Sequence, residues 1–120
     1  MPDIRILLAN EPRAYREVLA SAFLALRPDL DLLTVESSDL DREIARLAPQ
    51  LVICTHLSES TRAIVPDWIV LYPDGASLAI ASIGGEQTTS NDFSFDTLLT
   101  LIDRVEQIVN PPTPRPVHPK

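Results

Sequence analysis

The chain has 120 residues, which suits a single domain, and its 45% hydrophobic content is that of an ordinary soluble globular protein. Its formal net charge of −7 argues against a nucleic-acid-binding surface built on overall positive charge. No stretch approaches the roughly 20 apolar residues of a membrane span, and we read no signal peptide at the start. Cys54 is the only cysteine, so an internal disulfide is excluded and we expect a cytoplasmic protein.

Lysine is almost missing from the sequence. Of the ten basic residues, the only lysine is Lys120, the last residue, and the others are arginines scattered along the chain. A mechanism that needs a positioned ammonium group inside the folded core is therefore excluded.

The first half of the sequence alternates apolar runs with amphipathic segments. Residues 4–9 form an apolar run typical of a central parallel strand. A helix is predicted from Asn10, as N-cap with Glu11 in the first turn, to about Arg27. The apolar positions at helical spacing predict the buried face of this helix: Tyr15, Val18, Leu19, Ala22, Phe23 and Leu26.

A second strand and a second helix follow. Residues 30–36 predict the strand, and Ser38 with Asp41 is a plausible capping pair for a helix that ends at Ala48. Its buried stripe is predicted to be Leu40, Ile44 and Leu47. A strand is then predicted at 51–55, because residues 51–54 form a continuous apolar run without polar alternation. This β-α-β-α-β order with short connections predicts a parallel sheet covered by helices on both faces.

The second half is predicted to be antiparallel. Residues 57–67 hold at most a short helix, and residues 68–72 and 78–83 are strands separated by a turn signal at 73–76. A parallel pair would need a crossover of about a dozen residues, so these strands should form a hairpin. Gly84-Gly85 predicts a second tight turn, which leads to a third strand at 86–89.

A last amphipathic helix is predicted after Ser94, its N-cap, with Phe93 packed against Leu98. Its apolar positions are Leu98, Leu101, Ile102, Val105, Ile108 and Val109. Asn110 ends it, and the Pro-rich tail is predicted to be extended and mobile. The predicted organisation is one α/β domain at 1–109 and a tail at 110–120.

Two segments carry a family likeness. The stretches IRILLANEPRAYREVLASAF and LAPQLVICTH resemble the first strand and helix and the third strand of response-regulator receiver domains. The resemblance covers the first half in pattern and spacing, and the last helix also fits. It implies a three-layer, flavodoxin-like (receiver-like) fold and a role in two-component signal transduction. Here the sheet would be parallel in its first half, with an antiparallel β-meander in place of the family's fourth helix.

The sequence differs from the family at the positions that carry out the family's phosphorylation chemistry. Asn10-Glu11 stands where the family has its acidic metal-binding pair, and Thr55 stands where it has the phospho-accepting aspartate. The family's switch hydroxyl falls near Tyr72 or Pro73, and its lysine has no counterpart. Without an acidic pair, an acceptor carboxylate or a nearby cation, we expect no phosphorylation by that route, no metal, no cofactor and no catalytic residues. The resemblance therefore implies a pseudo-receiver.

Two interpretations stay open for each polar candidate. Asn10 and Glu11 are either a relic of a metal site or helix-capping residues. Thr55 and His56 are either the floor of a polar pocket or strand-end hydrogen-bonding residues, and His56 with Tyr72 marks a candidate ligand crevice. Residues 58–60 are a nucleophile with a base or, as we prefer, a solvated loop. Cys54 is interpreted as a buried, unreactive thiol.

A candidate interface comes from the aromatic and apolar residues of the second half. It comprises Trp68, Leu98, Ile102, Val105 and Ile108, and the alternative is that the domain's own core uses these residues.

The functional prediction is phosphorylation-independent protein–protein interaction, with a second copy in a homodimer or with another signalling protein as the partner, and with neither nucleic acid nor membrane. The alternative is a small-molecule or nucleotide sensor, or an undetected enzyme. That alternative would use the crevice at the carboxyl ends of the first and third strands.

Overall fold

The computed structural model describes residues 4–72, 78–91 and 94–109. In chain order, its elements are β1 (Arg5–Ala9), α1 (Arg13–Leu26), β2 (Asp31–Thr34), a 3-10 turn (Ser37–Asp39), α2 (Leu40–Leu47), β3 (Leu51–Cys54), α3 (Glu59–Arg62), β4 (Asp67–Leu71), β5 (Ala79–Ile83), β6 (Glu86–Ser90) and α4 (Phe95–Val109). Over these ranges the chain is an α/β domain.

One mixed sheet joins the strands in the order β2-β1-β3-β4-β5-β6. The first four strands are parallel, with Leu8 opposite Thr34 on one side and opposite Ile53 on the other. The pairs β4–β5 and β5–β6 are antiparallel. The predicted parallel half and antiparallel meander are confirmed, whereas the predicted turn at 73–76 lies outside the described residues.

Two apolar cores cover the two faces of the sheet. Alternate residues of a strand point to opposite faces, so Ile6 and Leu8 contact the α1 and α4 side while Leu7 and Ala9 contact the α2 side. The α1/α4 core also contains Leu19, Phe23, Leu98, Ile102 and Val105; the α2 core contains Leu40, Ile44, Val52, Val65 and Trp68. The layering with helices on both faces therefore agrees with the sequence pattern.

The predicted start of α1 is wrong, and its predicted face is right only in part: Leu19 and Phe23 are buried and Tyr15 packs against them, whereas two members are exposed. Pro12 is the N-cap of the helix, and no acidic residue lies in its first turn. Asn10 lies two residues before the N-cap and is buried, with 0% exposure. Val18 and Leu26 are 64% and 59% exposed. The helix packs through the row that contains Leu19 and Phe23, and a residue one position away is rotated by about 100° from that row.

The predicted capping pair of α2 is also wrong. Ser38 lies inside the 3-10 turn, and Asp39 takes the N-cap position without a side-chain cap. The predicted stripe holds, since Leu40 and Ile44 are buried and Leu47 packs half-buried against them.

The turns and caps of the second half mostly match their signals. Ser58 caps the single turn of α3, and Ser94 accepts a hydrogen bond from the Thr97 N–H (3.2 Å). Gly84 and Gly85 have φ values of +61° and +84°, as a primed two-residue turn requires. The predicted contact of Phe93, the helix end at Asn110 and the tail at 110–120 lie outside the described residues.

The candidate interface residues lie in the interior. Leu98, Ile102 and Val105 are at most 3% exposed in the α1/α4 core, and Trp68 is 5% exposed in the α2 core. The three helix residues are buried because α4 packs its apolar stripe against the sheet, and Trp68 is buried because β4 packs in the core on the opposite face. Ile108 is the exception in that set, with half of its surface exposed.

Candidate functional site

The polar residues that follow the parallel strands gather at one edge of the sheet. Parallel strands end at the same edge, and ligands of open α/β sheets bind there, where the direction of strand addition reverses. In this sheet the reversal lies between β1 and β3, because β2 is added on one side and β3 and β4 on the other. Asn10 follows β1 and Thr55 follows β3, so the sequence-predicted site residues do come together.

A hydrogen bond joins the carboxyl ends of β1 and β3. The Thr55 hydroxyl oxygen accepts a hydrogen bond from the backbone N–H of Glu11 at 2.9 Å, and Thr55 is only 9% exposed. This contact agrees with the strand-end interpretation of Thr55, and Thr55 also lines the cavity described below. Its hydroxyl joins the loop after β1 to the loop after β3.

Asn10 is the least satisfied polar side chain of the site. It is fully buried, and neither its Oδ1 nor its Nδ2 has a hydrogen-bond partner among the described residues. The helix-capping interpretation of Asn10 is therefore wrong. Over the described ranges, no group of three or more His, Cys, Asp and Glu side chains is placed to hold a metal ion.

A polar cavity lies beside Thr55, on the α2 side of the sheet. It has a volume of about 470 Å³, and we call it the edge cavity. Its lining comes from the loops after β2 and β3, the first turn of α2, α3 and β4: Ser37, Leu40, Asp41, Thr55, His56, Leu57, Ser58, Arg62 and Val70.

The structure separates His56 from Tyr72, which the sequence had placed in one crevice. His56 lines the edge cavity, whereas Tyr72 lines a smaller cavity of about 170 Å³ on the α1/α4 side. The reason is the left-handed backbone of Tyr72 (φ +53°), which breaks the alternation that a continued strand would impose. Its ring lies 6.4 Å from that of Tyr15, centroid to centroid, and burial raises the pKa of Tyr15, with a smaller contribution from Tyr72.

Two charged residues line the edge cavity, Asp41 and Arg62, and neither was among the predicted site residues. The Thr61 hydroxyl donates to Asp41 Oδ1 at 2.6 Å, and the Ser58 hydroxyl donates to Thr61 at 2.8 Å. The Arg62 guanidinium carbon lies 4.6 Å from the centroid of the Trp68 ring. The sequence did contain one signal for these two residues. Each follows a strand that the β-α-β order predicts to be parallel, and parallel strands end at the same edge of the sheet.

Cys54, at the end of β3, is buried and its thiol is unreactive. Burial raises the pKa of its thiol to about 12, although the nearby Arg62 charge acts in the opposite direction. The thiol is therefore protonated at neutral pH, as the sequence interpretation of an unreactive cysteine requires.

Comparison of the chain with protein-family models, curated proteins and solved structures finds no match. Within the described ranges, none of the helices has the length and apolar character needed to cross a membrane. The sheet topology and the residues at the strand ends are therefore the basis for assigning a function.

Proposed function

We propose that this chain is a receiver-like, flavodoxin-like signalling domain that works without phosphorylation, by pairing with a second copy through β6. The order β2-β1-β3-β4 with helices on both faces supports the receiver-like part of the proposal. The observation that carries the interaction part is β6, an outermost strand whose residues Glu86 to Thr89 are all exposed.

The residues at the strand ends argue against phosphoryl transfer. Thr55 replaces a carboxylate acceptor, and its hydroxyl already accepts the Glu11 N–H. A hydroxyl without an activating base is a poor nucleophile. Incubation with acetyl phosphate and Mg²⁺ should leave the intact mass of the protein unchanged. A stoichiometric gain of one phosphoryl group would contradict this part of the proposal.

The geometry of the hairpin indicates which groups β6 offers. In a two-residue turn, the N–H of the fourth residue bonds back to the first, so the N–H of Glu86 points towards Ile83 on β5. Backbone direction alternates along a strand. The N–H and C=O groups of Gln87 and Thr89 therefore point away from β5, towards the open edge, where another strand can pair with them.

This edge is complementary to itself. An antiparallel pair related by a two-fold axis at Thr88 would place Glu86 opposite Ser90, Gln87 opposite Thr89, and Thr88 opposite its own copy. No like charges meet in this register, and cross-strand Thr pairs are favourable. A five-residue edge buries a small area, so we expect a weak dimer whose population rises with protein concentration.

The test places a like charge on the two-fold axis. Sedimentation velocity over a concentration series should show a dimer for the wild type and a monomer for Thr88→Lys, because two lysines would face each other. Ser21→Lys, on the exposed side of α1, is the control for added charge and should dimerise normally. Mixing Thr88→Lys with Thr88→Glu should restore dimers. A wild type that is monomeric throughout the series, or a dimeric Thr88→Lys, contradicts pairing through β6.

A second candidate function is sensing of a small molecule. It is favoured by the edge cavity, which opens at the carboxyl ends of β3 and β4 and has a mixed polar and apolar lining. A thermal-shift screen of metabolites and nucleotides tests this candidate, and only ligands whose effect is lost on substitution of a cavity residue support it.

A further inference from the structure

We propose that the edge cavity binds a small zwitterion, a molecule that carries a carboxylate and a protonated amine a few bonds apart, as free α-amino acids do. This inference rests on the second candidate function and specifies its ligand. It follows from two opposite charges that line one cavity, Asp41 and Arg62, each held in place by a neighbouring side chain.

Arg62 is prepared to bind a carboxylate. Its guanidinium carbon lies over the ring of Trp68, which is itself 5% exposed, so this cation–π contact holds the cation against a buried residue of β4. A planar guanidinium matches the two oxygens of a carboxylate, and fixing it in advance lowers the entropy lost on binding.

Asp41 supplies the opposite charge. Its carboxylate is oriented by the Thr61 hydroxyl, which is held in turn by Ser58. A carboxylate in the cavity disfavours a ligand that is only anionic, just as Arg62 disfavours one that is only cationic. A ligand with both charges satisfies the two residues together.

The remainder of the lining fits a small side chain. The hydroxyls of Ser37, Thr55 and Ser58 are polar contacts, and Leu40 with Val70 forms an apolar part of the wall. A volume of about 470 Å³ is within the range of small-molecule sites and exceeds what a single inorganic ion needs. We therefore expect a small amino acid to fill the cavity better than phosphate does.

The experiment is a titration of the ¹⁵N-labelled full chain with each free L-amino acid, followed by NMR, with affinities from calorimetry. The best binder is then compared with its des-amino acid and with the amine that lacks its carboxylate. Each analogue should bind at least about tenfold more weakly, because each loses one charge-assisted contact. Arg62→Gln and Asp41→Asn should have similar effects. Arg42→Gln is the control, since Arg42 pairs with Asp39 on the exposed surface of α2 and does not line the cavity.

Arg62→Lys keeps the charge but removes the planar guanidinium, so it replaces Arg62→Gln if the latter fails to fold. It should bind at least about threefold more weakly.

The proposal is overturned if no amino acid shifts a resonance at roughly 10 mM. It is also overturned if the des-amino acid binds equally well or if Asp41→Asn retains full affinity. A nucleotide or another ligand in the cavity would overturn the zwitterion but keep the sensing function, whereas a screen without any ligand would overturn both. Pairing through β6 is measured separately and is independent of all these outcomes.

Discussion

Two isosteric substitutions at the ends of β1 and β3 should change stability in opposite directions. Asn10→Leu and Thr55→Val each replace a buried polar side chain with an apolar one of similar shape. Asn10 makes no hydrogen bond among the described residues, whereas Thr55 accepts one from the Glu11 N–H at 2.9 Å. The two changes therefore separate the effect of burying an unsatisfied polar group from the effect of removing a hydrogen bond.

The expected change in the free energy of unfolding for Asn10→Leu follows from the two amide atoms of Asn10, which are unpaired among the described residues. A buried polar atom without a partner costs about 1–3 kcal/mol, and leucine removes that cost without creating a large cavity. We expect Asn10→Leu to raise the free energy of unfolding by about 2 kcal/mol. For a domain of this size, about 4 °C per kcal/mol applies, so the melting temperature should rise by about 8 °C.

The expected change in the free energy of unfolding for Thr55→Val has the opposite sign. Valine cannot accept the Glu11 N–H, and a net hydrogen bond is worth about 1 kcal/mol. Thr55→Val should therefore lower the free energy of unfolding by about 1 kcal/mol, which places the two variants about 3 kcal/mol apart.

Urea titration provides the measurement, with circular dichroism and the fluorescence of the single, buried Trp68 as two probes. Coincident transitions would justify a two-state treatment. Loss of more than about 1 kcal/mol in Asn10→Leu would refute the reasoning, because it would show that the native amide makes favourable hydrogen bonds. Asn10→Ala is the companion variant. It also removes the amide but leaves a cavity, so it should be less stable than Asn10→Leu.

Three further predictions concern other parts of the chain. Ala48 ends α2 with a left-handed backbone (φ +48°), so Ala48→Gly should raise the free energy of unfolding by about 0.5–1 kcal/mol in the same urea titration, and a loss would contradict that geometry. Arg27 pairs with Asp29 at 2.9 Å, and its hydrogen bond is the main cause of the lowered pKa of that carboxyl. The stability from this pair is therefore present above the ordinary value of 3.8 and is lost as the pH falls through the lower, folded-state pKa. The gap between the wild type and Arg27→Met should narrow under acid, and a gap independent of pH would contradict the pairing. Finally, burial raises the pKa of Cys54 to about 12, so a thiol reagent should label native protein far more slowly than urea-unfolded protein, and equal rates would contradict that burial.

The sheet was predictable from the sequence because short stretches of the chain determine its strands and turns. The apolar runs at 4–9 and 51–54 indicated strands buried on both faces. The link between residues 72 and 78 was too short for a parallel crossover, which forced β4 and β5 to be antiparallel. The paired glycines at 84 and 85 determined the next hairpin, since left-handed backbone is inexpensive for glycine.

The site was less predictable because it depends on tertiary placement. Asn10 has the chemistry of an N-cap, yet the structure buries it, and the capping rule describes only local preference. Tyr72 was assigned to the crevice of His56, but a left-handed backbone at Tyr72 accompanies its placement on the other face of the sheet. Arg62 and Asp41 are 21 positions apart, and only the packing of α2 against the loop after β3 makes them neighbours of one cavity.

The edge cavity and the open edge of β6 are connected through the sheet, and the coupling between them is measurable. Arg62 stacks on Trp68, Trp68 is registered with Ser82 on β5, and Ser82 is registered with Gln87 on the open edge. A contact path alone does not couple two sites, because coupling needs an element with two arrangements that both ligands bias. The strands β4, β5 and β6 keep one continuous register, so we expect a bound amino acid to change the dimer dissociation constant by less than about twofold. Sedimentation with and without saturating ligand measures this change. A shift of about tenfold or more would show that the cavity controls the edge, and linkage would then require dimerisation to change the affinity for the ligand by the same factor.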